Sequence, residues 1–173
     1  MKVTFSVPDE YPCIVLAIIA LCSLCQVVAM AIVVPARKKY FSAQHMKQFS
    51  EEHKKNFPDH RTPMMGFPDV GSGRFAMKLP YKDWYAMNNA FRVHLNLVEQ
   101  LPILVVFLLV NGLIVPYLTV WIAWYSVVGR IIYTVGYIWK GPDARLLGAI
   151  TTLAPIYLTS FYSIYVMSKH LLF

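Results

Sequence analysis

The sequence predicts an all-α integral membrane protein, a bundle of four transmembrane helices in up-and-down order. Three observations lead there. Of the 173 residues, 57% are apolar and only 14% charged, with a mean hydropathy of +0.49, whereas a soluble domain carries about a quarter charged residues. Several runs free of charge are long enough to cross a bilayer. The basic residues that raise the net charge to +7 gather in one loop between those runs, a placement explained by membrane topology and not by nucleic acid. The same composition excludes a disordered chain, a collagen and a disulfide-stapled mini-protein.

The first span is expected at 11–35. Tyr11 to Ala36 is uncharged, and at about 1.5 Å per residue this stretch exceeds the roughly 30 Å hydrocarbon core. Asp9 and Glu10 precede it, while Arg37, Lys38 and Lys39 follow it. That order is the reverse of a secretory signal and reads as an uncleaved span. Cys13, Cys22 and Cys25 all lie in this run. The C-x-x-C spacing of the last two lacks the βαβ context of a redox motif, so the three are read as small packing residues.

Gln100 to Val128 is again uncharged. Asn111-Gly112 and Pro116 punctuate it as a turn, because Asn and Gly favour turns and Pro suits the first helical position. The second and third spans are therefore expected at 88–111 and 116–140. Leu146 to Ser168 makes the fourth, at 146–170. Pro102 and Pro155 fall inside spans, where membrane helices tolerate kinks. The segment 37–91 carries ten Lys/Arg, and the loop near 140–145 adds Lys140 and Arg145. Both loops should face the cytosol, or the matrix of a mitochondrion, with both termini opposite.

The long basic loop, 36–87, holds two further features. Ala43–Phe57 places Met46, Phe49, His53 and Phe57 on one helical face, fitting either a helix lying on the headgroups or a solvated one; Glu51 and Glu52 can pair with Lys55. Residues 58–80 hold seven Pro/Gly and should be irregular. Gly71-Ser72-Gly73 is too short a motif for a phosphate cradle, and His45, His53 and His60 lack metal-ligand spacing, so no metal is expected.

Ionisable residues inside apolar spans cost about 2.5–3.5 kcal/mol each on insertion scales and usually mark function. Arg92, Asn96 and Glu99 follow at i, i+4 and i+7, and Arg130, Tyr133 and Tyr137 at i, i+3 and i+7, so each set shares one helical face. His94 points elsewhere, toward a neighbouring subunit. One reading is a neutralising pair of Glu99 with an arginine. The other is a water-reached pocket for a small zwitterion, with guanidinium groups for its carboxylates and Glu99 for its ammonium group.

The stretch Arg92-Val-His94-Leu-Asn96-Leu-Val-Glu99-Gln-Leu-Pro102 resembles the second-helix signature of the MAPEG family, membrane-associated proteins of eicosanoid and glutathione metabolism. Pro35-Ala36-Arg37-Lys38-Lys39-Tyr40 also resembles it. So does Gly129-Arg130-Ile-Ile-Tyr133-Thr-Val-Gly136-Tyr137, followed by Gly141-Pro142 and Arg145. The branch it is most similar to is the microsomal glutathione transferases of type three.

The resemblance implies a homotrimer of four-helix subunits in the endoplasmic reticulum membrane, alternatively a mitochondrial one, with glutathione as co-substrate. By similarity, Arg92 and Asn96 would hold a carboxylate and an amide of glutathione, and Glu99 and Tyr133 its γ-glutamyl end. Arg37, His94, Arg130 and Tyr137 would complete the shell, with Gln26 a further candidate. Arg145 matches the arginine that stabilises the thiolate in the leukotriene-forming branch, so it is the expected catalytic residue. The departures are Gln100, where those enzymes place a tyrosine, and the length of the 36–87 loop. Two functions follow: a transferase or peroxidase acting on hydrophobic electrophiles or lipid hydroperoxides, or a non-catalytic accessory subunit of a larger membrane complex. A transporter or channel is disfavoured, since no internal repeat is evident and the polar residues gather at one end of the spans.

Overall fold

The computed structural model describes residues 7–172, apart from the side chains of Arg145, Leu147, Thr152, His170, Leu171 and Leu172. It is all helical in its regular structure. Four helices are long and apolar enough to cross a membrane: α1, Tyr11–Tyr40; α4, Tyr81–Ile114; α5, Pro116–Lys140; and α6, Arg145–Leu172. Two short helices, α2 (Ala43–Lys47) and α3 (Ser50–Asn56), lie between the first two spans. The chain divides into two compact units, one of residues up to Cys25 and from Asn96 onward, the other Gln26–Leu95.

The third span lies where it is expected; the first two outrun their uncharged cores. Helix α1 does not stop at 35. Pro35 lacks the N–H of the regular ladder, and the chain absorbs it in a π-turn over Ala29–Val33, with Val34 N–H bonding to the Ala29 carbonyl. The backbone then runs on as helix to Tyr40. Helix α4 begins at Tyr81 rather than 88, just after Pro80, whose carbonyl accepts the Asp83 and Trp84 N–H groups. Its 34 residues reach roughly 50 Å at 1.5 Å each, so its early turns extend past the hydrocarbon.

The expected turn at Asn111-Gly112 is helix; the break falls at Val115 (φ −136°, ψ 64°), before Pro116. Gly112 is there for close packing. A Cβ on it would lie 2.8 Å from Ile14 Cδ1 and 3.1 Å from the Tyr11 ring. Asn111 is buried and donates from Nδ2 to Ser160 Oγ at 3.3 Å.

In the first unit Ile14, Ala17 and Leu21 of α1 meet Leu104 and Leu108 of α4, Ile122 and Ala123 of α5, and Ile156 of α6. Lipid tails are as apolar as these side chains, so close packing, not escape from water, holds them. Cys25 is buried, whereas Cys13 and Cys22 turn outward and do not pack as expected.

The second unit has its own core of Ala36, Phe41, Met46, Phe49, Ala76, Met87 and Phe91. The apolar face expected over 43–57 is split by a break at 48–49. Met46 and Phe49 turn into this core, so they are not offered to headgroups, while Phe57 stays exposed. Glu52 pairs with Arg74 at 2.5 Å rather than with Lys55. That exposed pair contributes about 0–1 kcal/mol.

Candidate functional site

The stripe of α5 is interior. Arg130 is 2% exposed, and Tyr133 and Tyr137 are each 3% exposed. Their i, i+3, i+7 spacing puts them on the helix face that also buries Ser126 and Thr134, whose hydroxyls return to the Ile122 and Arg130 carbonyls at 2.7 and 2.8 Å. The two phenol rings stand 5.8 Å apart.

Helix α4 meets this stripe with two amides. Asn96 Nδ2 donates to the Tyr133 hydroxyl at 2.5 Å, and Arg130 Nη2 donates to Gln100 Oε1. Asn96 and Gln100 are four residues apart, one helical turn, so both point to the same helix. In the sequence Gln100 stands out only as a departure from the family pattern. Its role as the acceptor for Arg130 depends on which helices adjoin, which spacing within one helix does not reveal.

Beside this cluster the walls are apolar. A cavity of about 90 Å³ lies against Arg130 and Gln100, walled by Leu104, Phe107, Ile156 and Tyr157. Among the described residues no carboxylate lies within ion-pair distance of Arg130. Glu99, expected as its neutralising partner, is exposed instead. Among the described residues Glu99 and Arg130 do not pair, and the buried guanidinium has a neutral amide as its partner in an apolar surround. Such a group costs desolvation energy that an anion would offset.

Arg92 and His94 are half-buried, and neither they nor Glu99 has a hydrogen bond or ion pair among the described residues. Gln26 is exposed. Arg145 opens α6, and its side chain lies outside the described residues.

Arg37 lies in the loop unit, 6% exposed. Its Nη1 donates to the Met65 carbonyl at 3.1 Å and its Nη2 to the Asp69 carbonyl at 2.6 Å. The guanidinium also sits 4.1 Å from the Phe67 ring centre and 4.9 Å from that of Phe91. The turn that presents the Met65 carbonyl needs Gly66 at φ +67°, because a Cβ there would fall 2.3 Å from the Phe41 ring.

Asp69 closes the same loop. Its Oδ1 accepts the N–H groups of Gly71 and Gly73 at 2.8 and 2.9 Å, and its Oδ2 that of Ala76 at 2.8 Å. The Gly71 and Gly73 amides do cradle a carboxylate, and it is the chain's own. Trp84 Nε1 and Asn88 Nδ2 then donate to the Gly71 carbonyl, at 3.1 and 3.0 Å.

The geometry leaves a guanidinium, an amide and two phenols buried, and a second amide half-buried, against apolar walls, a set able to bind and orient a small polar molecule beside a lipophilic one. A sequence profile of the MAPEG family matches residues 15–165. No curated protein matches the chain.

Proposed function

Because the chain belongs to the MAPEG family, a family whose members generally use glutathione, we propose that it is a membrane-bound glutathione transferase or peroxidase. Its second substrates would be hydrophobic electrophiles or lipid hydroperoxides arriving through the bilayer. The observation that supports this reading is the polar cluster of buried Asn96, Arg130 and Tyr133 with half-buried Gln100 in apolar spans, where Arg130 donates to a neutral amide.

Glutathione carries two carboxylates, an ammonium group and a thiol. In the proposed complex Arg130 takes a carboxylate, Asn96 and Tyr133 the peptide polar groups, and Glu99 the ammonium. Tyr137 closes the shell. Arg37 is left out of that shell, since loop carbonyls and rings already surround it. An exposed carboxylate within a span is costly, so Glu99 reaches its ligand where a second subunit covers it, in a homotrimer.

A thiol of pKa about 8.5 is only a few per cent ionised at pH 7. Arg145 is proposed to favour the thiolate electrostatically while staying charged itself. The sulfur then attacks the electrophilic carbon, a C–S bond forms, and the leaving group departs with the electron pair. With a hydroperoxide the sulfur attacks the outer oxygen and the O–O bond breaks. An alcohol leaves, and a second glutathione converts the sulfenic acid to the disulfide and water. The protein supplies orientation and a stabilised anion.

A second reading, a non-catalytic accessory subunit, draws support from Gln100, whose carbonyl occupies a donor of Arg130. Calorimetric titration of the detergent-purified protein with glutathione decides. Binding that is lost in Arg130→Ala, with a sulfur-centred ultraviolet absorbance from bound thiolate, supports the enzyme. Absence of binding at millimolar glutathione overturns it, and binding without thiolate absorbance selects the accessory subunit.

A further inference from the structure

The loop unit holds an opening that the glutathione reading does not use. A groove of about 440 Å³ lies where α1 ends, within the range of about 300–1,000 Å³ usual for ligand sites. Phe41, Met46 and Met65 line it, with the first two also part of the buried core. Lys38 and Lys47 line it as well, both exposed, and no acidic residue does so among those described.

Depth narrows the occupant. Lys38 stands two residues before the end of a membrane-spanning helix, where lysine side chains reach for the headgroup layer. Met64 at the groove is 81% exposed, and Phe57, Phe67, Val70 and Met77 of the same unit are exposed too. Basic groups combined with outward apolar side chains fit an anionic membrane surface better than an acidic peptide or free phosphate, which would leave the apolar lining unused.

We propose that this groove seats one anionic phospholipid of the surrounding leaflet, its phosphate between Lys38 and Lys47 and an acyl chain along Phe41, Met46 and Met65. The proposal is independent of the glutathione chemistry. Native mass spectrometry of the full-length protein, titrated with palmitoyl-oleoyl phosphatidylserine or phosphatidylcholine, tests it.

One phosphatidylserine per subunit should be retained in preference to phosphatidylcholine. Lys38→Gln with Lys47→Gln should cut that preference about thirtyfold, the effect of two lysines at about 1 kcal/mol each near an anionic surface. Lys54→Gln with Lys55→Gln, at residues that do not line the groove, should keep it. Ala43→Trp, an exposed groove residue, should lower retention of both lipids by filling the acyl seat. Equal retention of the two lipids by the unmodified protein overturns the proposal. So does a preference unmoved by the Lys38/Lys47 pair, or retention unmoved by Ala43→Trp. Displacement of phosphatidylserine by millimolar inorganic phosphate would mark a site for a small anion and would equally overturn it.

Discussion

Among the described residues two arginines are buried, Arg37 and Arg130, and they are buried in different ways. Arg37 donates to two backbone carbonyls and lies against aromatic rings, so the loop meets its hydrogen-bonding and its charge. Arg130 has a neutral amide and a cavity beside it. A fully surrounded cation organises its own unit, whereas a cation with neutral company and adjoining space is a place for something else to bind. Both belong to the same kind of motif in the sequence, so the motif alone cannot separate an arginine enclosed by its own loop from one with a cavity beside it.

The largest effect should come from the loop. Asp69→Ala leaves three N–H groups without their acceptor, which should cost about 3–5 kcal/mol. Limited proteolysis should then cut within 58–80 while circular dichroism still reports the spanning helices. An uncut loop would show that Asp69 does not hold it. Arg37→Ala should cost about 2–4 kcal/mol for the lost hydrogen bonds and ring contacts, again read by proteolysis, with glutathione affinity changed only a few-fold. A tenfold loss of affinity with the loop intact would return Arg37 to the binding shell and dissolve the contrast.

How far these distinctions are legible in the sequence depends on what each one needs. The four spans follow from uncharged runs and from the cost of charge in lipid, and they are readable. The ends of α1 and α4 are not, because both helices carry charged residues beyond their expected spans, from Arg37 to Lys39 and at Lys82 and Asp83. Gly112 reads as a turn residue because glycine serves turns and close packing alike, and only the positions of Tyr11 and Ile14 decide between them. The polar stripes are visible as helical spacing. The pairing of Asn96 with Tyr133 and of Gln100 with Arg130 joins residues about thirty or more apart, and no local pattern encodes it. Asp69 gives no signal at all, since a carboxylate becomes a keystone only after the backbone curls around it.

At the other arginine the signs should reverse. Arg130→Met exchanges a buried cation for an apolar chain, so stability should stay within about 1 kcal/mol or rise. Glutathione affinity should nevertheless fall at least tenfold, about 1.4 kcal/mol. Thermal unfolding and calorimetry on one preparation measure both; a variant that loses stability and keeps affinity would invert the assignment.

The smallest expected change is at Arg145. Replacement by Ala should leave glutathione affinity within a few-fold while raising the pKa of the bound thiol and slowing turnover. Every tenfold loss of thiol acidity corresponds to about 1.36 kcal/mol of thiolate stabilisation. A pH titration of thiolate absorbance on the bound complex reads it, and an unchanged profile would remove Arg145 from the chemistry.

The π-turn at Ala29–Val33 makes a short apolar stretch sensitive to length. Deleting one residue there would remove the wide turn that accommodates Pro35, and would turn everything beyond it by about 100° around the helix axis with a retreat of about 1.5 Å. Arg37, Met65 and Asp69 all follow the turn and would move together, so what is lost is the register between the helix residues on either side of it. Point substitutions among Ala29, Met30, Ala31, Ile32 and Val33 should therefore be far better tolerated than any single insertion or deletion. In a lineage of such chains, side-chain identity here should drift freely while the count of residues stays constant.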